Sequence, residues 1–172
     1  MYALTRIPRT TIIMGMGFSG RLQVPTNSEY GRTIMHHHDY IEFETRGNAD
    51  IIDITDRITS IVKGSGITEG TVTVFAPGAT GAISTIEFEP GLVKDFPDAL
   101  ERLFPKGIDY EHHVYHSDGN GHSHCRATML GPDITIPIIK GKLTLGYWQQ
   151  VVFIDLDNRP RERKIVVQII GE

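Results

Sequence analysis

The chain has 172 residues, with 17 lysines and arginines against 21 acidic residues, a formal charge of −4 and a single cysteine. This composition fits one domain with an ordinary core and gives no basis for nucleic-acid binding. A lone cysteine excludes an internal disulfide, as expected of a cytoplasmic protein, and no run of about 20 apolar residues predicts a membrane span.

The first 38 residues differ in character from the rest and are predicted to be an N-terminal extension, residues 1–38. A G-x-G-x-x-G pattern runs from Gly15 to Gly20, but Pro25 lies where a dinucleotide-binding fingerprint requires a helix. We therefore reject a nucleotide-binding interpretation. The extension is interpreted either as a flexible arm or as an over-extended gene model, with the biological start at Met35.

From Asp39 the sequence becomes regular and predicts a strand followed by a helix. Residues 40–44 alternate apolar and acidic side chains, which indicates a half-buried strand. Isoleucines and a valine then repeat at helical spacing over residues 54–62. This predicts an amphipathic helix, with Asp53 or Thr55 as its N-cap and Gly64 as its end.

Two further strands and a second helix are predicted before the histidine-rich segment. Residues 71–75 and 82–88 have strand character. Four apolar side chains between Leu92 and Leu103 mark a second helical face, which Pro97 either kinks or restarts.

Five of the eight histidines fall between His112 and His124, around a turn at residues 118–121. Imidazole is the commonest protein ligand for zinc, nickel and copper, and it titrates near neutral pH. We predict a β-hairpin here, with His122, His124 and Arg126 on one face of its second strand. An arginine beside two histidines indicates a site for a carboxylate or phosphate, whereas the alternative is an exposed hairpin that merely tolerates histidine.

The register of that hairpin stays open. With a two-residue turn, Tyr115 opposes His124, whereas a loop one residue longer or shorter brings His116 or His112 to the same face. Cys125 is expected on the opposite, inward face, as an inert core thiol rather than a nucleophile.

The remainder of the chain is predicted to be strands, over residues 134–139, 142–146, 150–156 and 164–170. Pro137 confines the first of these to a sheet edge or a bulge. We interpret the basic residues between Arg159 and Lys164 as a solvated loop in preference to a phosphate site. Antiparallel strands packed beneath two main helices predict an α+β fold, a largely antiparallel sheet or sandwich.

The C-terminal part of the chain contains the block GPDITIPIIKGKLTLGYWQ over residues 131–149 and closes with QIIGE. It resembles the YjbQ-like family, whose members have a G-x-x-x-T-I-P-x-x-x-G-x-L-x-L-G-T-W-Q block and a similar C-terminus. Tyr110 with His112 resembles the family's tyrosine-x-histidine element, and His124 with Arg126 its histidine-x-basic segment. The resemblance covers residues 39–172, which are predicted to be the YjbQ-like domain.

The resemblance implies a homotrimer with a polar site that holds a metal ion in some members. It also implies a weak thiamine-phosphate synthase activity, which joins a pyrimidine diphosphate to a thiazole phosphate and releases pyrophosphate. This chain departs from the family at Gly78, where most members have histidine in a proline-histidine-threonine-threonine turn. We hypothesise that His122 occupies the vacated position.

The site hypothesis assigns a role to each candidate residue. His112, His122 and His124 are the expected metal ligands, with His116 as a further candidate. Ligand type favours zinc as the divalent ion, and diphosphate chemistry would favour magnesium. The other assignments are Arg126 to the phosphate, Glu87 or Asp118 as base or positioning group, and Trp148 with Gln149 to the heterocycle.

Two alternatives remain open at this point. The first is a non-catalytic trimer that binds a metal or another small ligand. The second is a metal-dependent hydrolase, which would need three ligands and an open fourth position. All three hypotheses expect a small anionic or phosphorylated ligand and neither nucleic acid nor membrane as partner.

Overall fold

Residues 33–172 are described by the structure, a computed structural model, and they form an α+β fold with antiparallel sheets, which confirms the predicted class. In chain order the elements are β1 (Met35–Thr45), β2 (Asp50–Asp53), α1 (Thr55–Ser65), β3 (Glu69–Phe75), β4 (Gly81–Ile86), α2 (Pro90–Leu103), α3 (His112–Tyr115), α4 (Gly121–Leu130), β5 (Asp133–Ile139), β6 (Lys142–Leu143), β7 (Gln150–Asp155) and β8 (Arg161–Gly171). No helix in this part of the chain is long and apolar enough to cross a bilayer. The glycine pattern of the N-terminal extension lies outside the described residues.

The strands form two antiparallel sheets. The larger sheet has the order β1-β8-β3-β5-β6, and the smaller has the order β2-β7-β4. Pro137 lies on β5, whose outer neighbour β6 pairs only with Ile138 and Ile139. The proline is therefore close to the sheet edge, as its missing N–H group requires.

The smaller sheet lies between two apolar clusters. Val151 and Phe153 of β7 belong to a cluster with β3, β5, β8 and α1, whereas Val152 and Ile154 belong to a cluster with α2 and α4. Because β7 is buried on both faces, its sequence is a continuous apolar run without alternation. Helix α1 therefore packs on one face of β7, and helices α2 and α4 pack on the other.

The helix predicted over residues 54–62 is confirmed as α1, which buries Ile58 and Val62. Its predicted end at Gly64 is wrong. The helix continues to Ser65 and ends at Gly66, which has a left-handed φ of 73°. The Asp53 carboxylate accepts the Thr55 N–H at 2.9 Å, although Ile54 occupies the N-cap position.

The second predicted helix is also confirmed, as α2. Its first turn is capped by Glu89, whose carboxylate accepts the N–H groups of Gly91 and Leu92. Pro97 lies inside this helix, which runs as one element from Pro90 to Leu103.

The predicted β-hairpin between residues 112 and 128 is wrong. The segment forms the short helix α3 and the ten-residue helix α4. The buried residues of α4 are Gly121, His122, Ser123, Arg126 and Ala127. Residues four positions apart, such as His122 and Arg126, lie on the same face of a helix. The period-two pattern was misleading because polar residues, His122 and Arg126, mark the buried face of this helix.

Candidate functional site

Three imidazole rings and one carboxylate form the histidine cluster, defined as His112, His116, His124 and Asp118. The ring centroid of His112 lies 4.7 Å from that of His116 and 4.6 Å from that of His124. The Oδ1 atom of Asp118 lies 3.5 Å from Nε2 of His112. His116 and Asp118 are exposed, whereas His112 and His124 are half-buried, so the cluster is open to a ligand from solvent.

The cluster is assembled by α3, α4 and the turn between them. His112 and His116 stack because they are four residues apart around one helical turn. In the turn, the side-chain amide of Asn158 donates to the Asp118 carbonyl at 2.7 Å. Nε2 of His113 accepts the Gly121 N–H at 3.3 Å, which fixes the start of α4 and hence the position of His124.

A hydrogen bond to the backbone determines the tautomer of His124. Its Nδ1 lies 3.0 Å from the carbonyl oxygen of Ala79. Because a carbonyl only accepts, Nδ1 carries the proton, and Nε2 is left to accept a hydrogen bond or bind a ligand. The contact also places His124 against the turn at residues 77–80, where we had expected His122.

His122 lies on the opposite, inner face of α4. Its side chain is 2 % exposed, Nε2 lies 3.3 Å from the Ser123 hydroxyl, and Nδ1 has no hydrogen-bond partner in residues 33–172. Burial, followed by the nearby positive charges of Arg126 and Lys106, lowers the pKa of His122 below its usual range. This histidine is therefore held in its neutral form.

Arg126 also faces the interior, one helical turn after His122. It is 2 % exposed, and its guanidinium donates to the Glu101 carboxylate at 2.6 Å and to the Phe104 carbonyl, with Nε at 3.1 Å. Phe104 is the C-cap of α2, so Arg126 satisfies the end of that helix. These contacts tie α4 to α2.

The expected metal ligands are consequently divided between the histidine cluster and the interior. His112 and His124 belong to the histidine cluster, and His122 does not. Within the described chain, no group of three or more histidine, cysteine, aspartate or glutamate side chains has the geometry to hold a metal ion. The described residues of one chain, 33–172, therefore do not fit the zinc or magnesium site that the family resemblance implies.

The remaining predicted residues lie away from the histidine cluster. Glu87 is exposed at the end of β4 and lines a cavity of about 340 Å³ with Leu92 and Phe96. Trp148 is 65 % exposed, and the Gln149 side chain donates to the Thr85 hydroxyl at 3.2 Å. No hydrogen bond, ion pair or ring contact within residues 33–172 joins these three residues to the cluster.

The sequence reasoning missed an arginine next to the cluster, Arg163. Its side chain is 12 % exposed, and its Nε and Nη2 atoms each lie 2.7 Å from an oxygen of the fully buried Asp155. Nη2 also donates to the Thr80 hydroxyl at 3.0 Å. Arg163 therefore contacts the same turn as His124.

A second ion pair lies beside the first. Arg161 donates through Nε to the buried Asp157 at 2.6 Å, and Asp157 also accepts from the Thr80 hydroxyl at 3.2 Å. Burial alone would raise the pKa of Asp157, but the hydrogen bonds from Arg161 and the Asn158 N–H outweigh it and hold the pKa below its usual value.

The interpretation of residues 159–164 as a solvated loop is therefore wrong for Arg161 and Arg163. The signal that could have found them is the matched spacing of Asp155 and Asp157 before a short turn and Arg161 and Arg163 after it. Acids two residues apart share a strand face, and so do bases two residues apart.

The comparisons with known proteins point to one family. The family model described as "UPF0047 protein YjbQ-like" matches residues 39–172. A UPF0047 protein of Archaeoglobus fulgidus is 35 % identical over 130 residues, which are 76 % of this chain and 98 % of the relative. One from Methanothermobacter thermautotrophicus is 36 % identical, over 77 % of this chain and 90 % of the relative.

Solved structures agree with the sequence relatives. A crystal structure of a YbjQ-like protein of unknown function from Sulfolobus solfataricus superposes with a TM-score of 0.78 at 34 % identity, covering 81 % of this chain and 100 % of the other. A YjbQ/UPF0047 family protein from Clostridium acetobutylicum gives a TM-score of 0.67 at 35 % identity, covering 75 % and 98 %.

Proposed function

The chain belongs to the YjbQ-like family UPF0047, and from this we propose that it binds a small phosphorylated ligand at the histidine cluster and supports a weak thiamine-phosphate synthase-type transfer. The single observation that carries the proposal is the convergence of His112, His116 and His124 beside Asp118. Imidazoles that gain a proton next to a phosphate become charged hydrogen-bond donors, and these are the stronger class of hydrogen bond.

The transfer needs a site that accepts negative charge on the leaving group. A nitrogen of the thiazole supplies the electron pair for a new bond to a carbon of the pyrimidine. The bond from that carbon to the diphosphate oxygen breaks, and pyrophosphate leaves with its electron pair. Imidazoles of the histidine cluster would donate hydrogen bonds to the departing oxygens, and the Asp118 carboxylate lies 3.5 Å from Nε2 of His112.

No step of this proposal passes through a metal ion. A metal would supply charge neutralisation to the diphosphate, but the described residues of one chain do not provide a three-ligand set for it. For the same reason, hydrolysis at a metal-bound water receives no support from this geometry. The histidines and the backbone around them are the groups that we expect to contact the ligand.

Turnover and binding are tested with the two thiamine precursors in the presence and absence of added divalent metal. We expect slow formation of thiamine phosphate and pyrophosphate by the natural chain. The rate should be at least tenfold lower for His124→Ala and His112→Ala, because each variant lacks one hydrogen-bond donor to the leaving pyrophosphate. A matched control is His38→Ala, an exposed histidine on β1. Equal rates in all four proteins would reject the histidine cluster as the site.

A second candidate is a non-catalytic protein that binds a small ligand at the same histidine cluster. It is favoured by the observation that, of the three predicted catalytic residues, only Asp118 contacts the cluster, whereas Arg126 binds Glu101 and Glu87 is exposed elsewhere. Binding of pyrophosphate or thiamine phosphate without any turnover of the precursors would select this candidate.

The family resemblance adds a homotrimer to the proposal. We expect a solution mass of three times the 19.2 kDa of one chain, measured by light scattering during size-exclusion chromatography. A mass of one chain that still binds the ligand would remove the trimer from the proposal and leave the site in place.

A further inference from the structure

We propose that the turn at residues 77–80, together with Arg163, is the phosphate subsite of this protein. This inference deepens the proposed function and rests on it, since it names the group that the ligand presents to the histidine cluster. The ligand class is a phosphate monoester or a diphosphate. The argument begins with the backbone of the turn.

Three consecutive backbone N–H groups of this turn have no acceptor in the described part of the chain. Those of Gly78, Ala79 and Thr80 donate to no carbonyl or side chain there. Gly78 and Ala79 are exposed, so their N–H groups are open to a ligand from solvent, whereas Thr80 is buried and its own carbonyl accepts the Leu156 N–H at 2.9 Å. Because buried N–H groups are nearly always paired in proteins, the Thr80 N–H calls for an acceptor. Successive unpaired N–H groups in a turn are a common way to bind an anion.

Arg163 directs a free donor at the same turn. Asp155 and Thr80 engage its Nε and Nη2 atoms, and Nη1 has no hydrogen-bond partner within residues 33–172. A Cβ atom built on Gly78 would lie 3.8 Å from Nη1, and among residues 33–172, the chain neighbours of Gly78 aside, no other atom would lie within 4 Å. The bidentate contact with Asp155 therefore holds Nη1 in place without occupying it.

Gly78 lets the backbone of the turn face Arg163 with no side chain between them. Its φ of 115° disfavours any residue with a side chain, and a Cβ atom at this position would be in van der Waals contact with Nη1. Ala79, the next residue, accepts the hydrogen bond from His124. Ala79 thus links the turn with the unpaired N–H groups to the histidine cluster.

The charges around the turn set the ligand class. Arg163 and Arg161 are balanced by Asp155 and Asp157, so the subsite offers hydrogen-bond donors rather than net positive charge. A phosphoryl group has three acceptor oxygens, which matches three N–H groups and Nη1 better than the two oxygens of a carboxylate. We expect weak binding of inorganic phosphate, with a Kd on the order of 1 mM, and tighter binding of pyrophosphate.

The first test is titration of the ¹⁵N-labelled full chain with inorganic phosphate, and then with pyrophosphate, followed by amide chemical shifts. The Gly78, Ala79 and Thr80 signals should move together with a single Kd. Arg163→Lys should raise that Kd at least tenfold, because the single ammonium group of lysine cannot keep the two-point contact with Asp155 and also replace Nη1 at the anion. Lys164→Gln is the matched control, since it breaks the exposed ion pair with Glu42 on the same strand and should leave the Kd unchanged.

A second variant keeps the inference testable if Arg163→Lys fails to fold. Ala79→Pro removes one N–H group that donates to nothing in the described chain, so it should weaken phosphate binding without a loss of internal hydrogen bonds. Unmoved turn signals, or phosphate affinity unaffected by both Arg163→Lys and Ala79→Pro, would overturn the subsite. Phosphate binding that depends on Arg163 without thiamine-precursor turnover would reject the transferase and keep the subsite. Turnover of the thiamine precursors at the same rate in the natural chain and in Arg163→Lys would reject the subsite and keep the transferase.

Discussion

The interior of this protein disfavours a positive charge on His122. The side chain is buried, Nδ1 lacks a hydrogen-bond partner within residues 33–172, and Arg126 and Lys106 add unfavourable positive charge, against which Glu101 acts weakly. Its pKa is consequently lower in the folded than in the unfolded chain. In the unfolded chain the imidazole titrates at its ordinary value of about 6.5.

This shift predicts an acid-sensitive contribution to stability. Above the unfolded pKa, His122 is neutral in both states and costs nothing. As the pH falls from about 6.5 towards the lower folded pKa, the unfolded state binds more protons, so the free energy of unfolding decreases. Urea unfolding between pH 7.5 and 5 should therefore show a smaller pH dependence in His122→Gln than in the natural chain. The exposed His38→Gln should retain the natural pH dependence, and identical curves for all three proteins would contradict the prediction.

Arg126 has a structural role in this geometry, and its removal should affect stability first. Arg126→Ala leaves the Phe104 carbonyl at the end of α2 without its donor and opens a cavity beside His122. We expect the free energy of unfolding to fall by about 2–3 kcal/mol, measured in urea. The phosphate affinity of folded Arg126→Ala should equal that of the natural chain. A variant that keeps its free energy of unfolding but loses phosphate binding would instead support an anion-binding role for Arg126.

At the scale of one element, α1 offers two glycines that differ only in backbone conformation. Gly64 lies inside the helix and Gly66 caps it with φ of 73°, and a Cβ atom on either meets nothing within 4 Å in the described part of the chain. Gly64→Ala should stabilise the protein by about 0.5–1 kcal/mol, because alanine loses less backbone entropy in a helix. Gly66→Ala should destabilise it by about 1–2 kcal/mol, since the left-handed conformation strains an L residue. Thermal unfolding of the pair measures both effects, and shifts of the same sign would contradict the assigned helix end.

The elements with an apolar periodicity could be predicted from the sequence, and α4 could not. Ile58 and Val62 reveal the buried face of α1, and the apolar run of β7 reveals a strand buried on both faces. The buried face of α4 instead carries His122 and Arg126, and the partners of Arg126, Phe104 and Glu101, lie 22 and 25 positions before it. Hydropathy does not identify a polar side chain that is buried in the interior.

The candidate site was predictable in part for the same reason. The density of histidines located the segment, and His112, His116 and His124 do come together, although on helices rather than strands. Their approach depends on the turn at residues 118–121 and on Asn158, which is distant in sequence. The role of Arg163 depends on Thr80 and Gly78, which lie more than 80 residues before it, so no local pattern could assign it.

At the scale of the whole molecule, the buried ion pairs join the two sheets. Arg161, Arg163 and Thr45 belong to the five-stranded sheet, and Asp155 ends the central strand of the three-stranded sheet. The Asp155 carboxylate accepts from the Thr45 hydroxyl and from Arg163, and it also accepts the Asp157 N–H at 2.9 Å. One carboxylate therefore links both sheets and the turn that follows β7.

Removing this one charge should weaken the whole fold. In Asp155→Asn the Arg163 guanidinium loses its bidentate carboxylate, and the carboxylate that remains near it is that of Asp157, 3.9 Å from Nη2. A buried charge without its partner costs about 3 kcal/mol, and we expect urea unfolding to show a loss of this size in one cooperative transition, because the contact spans both sheets.

The matched control is Glu42→Gln, which breaks the exposed ion pair with Lys164 between the adjacent strands β1 and β8. An exposed pair of this kind contributes little, so Glu42→Gln should unfold like the natural chain. Equal losses in the two variants would mean that the Asp155 network does not hold the sheets together.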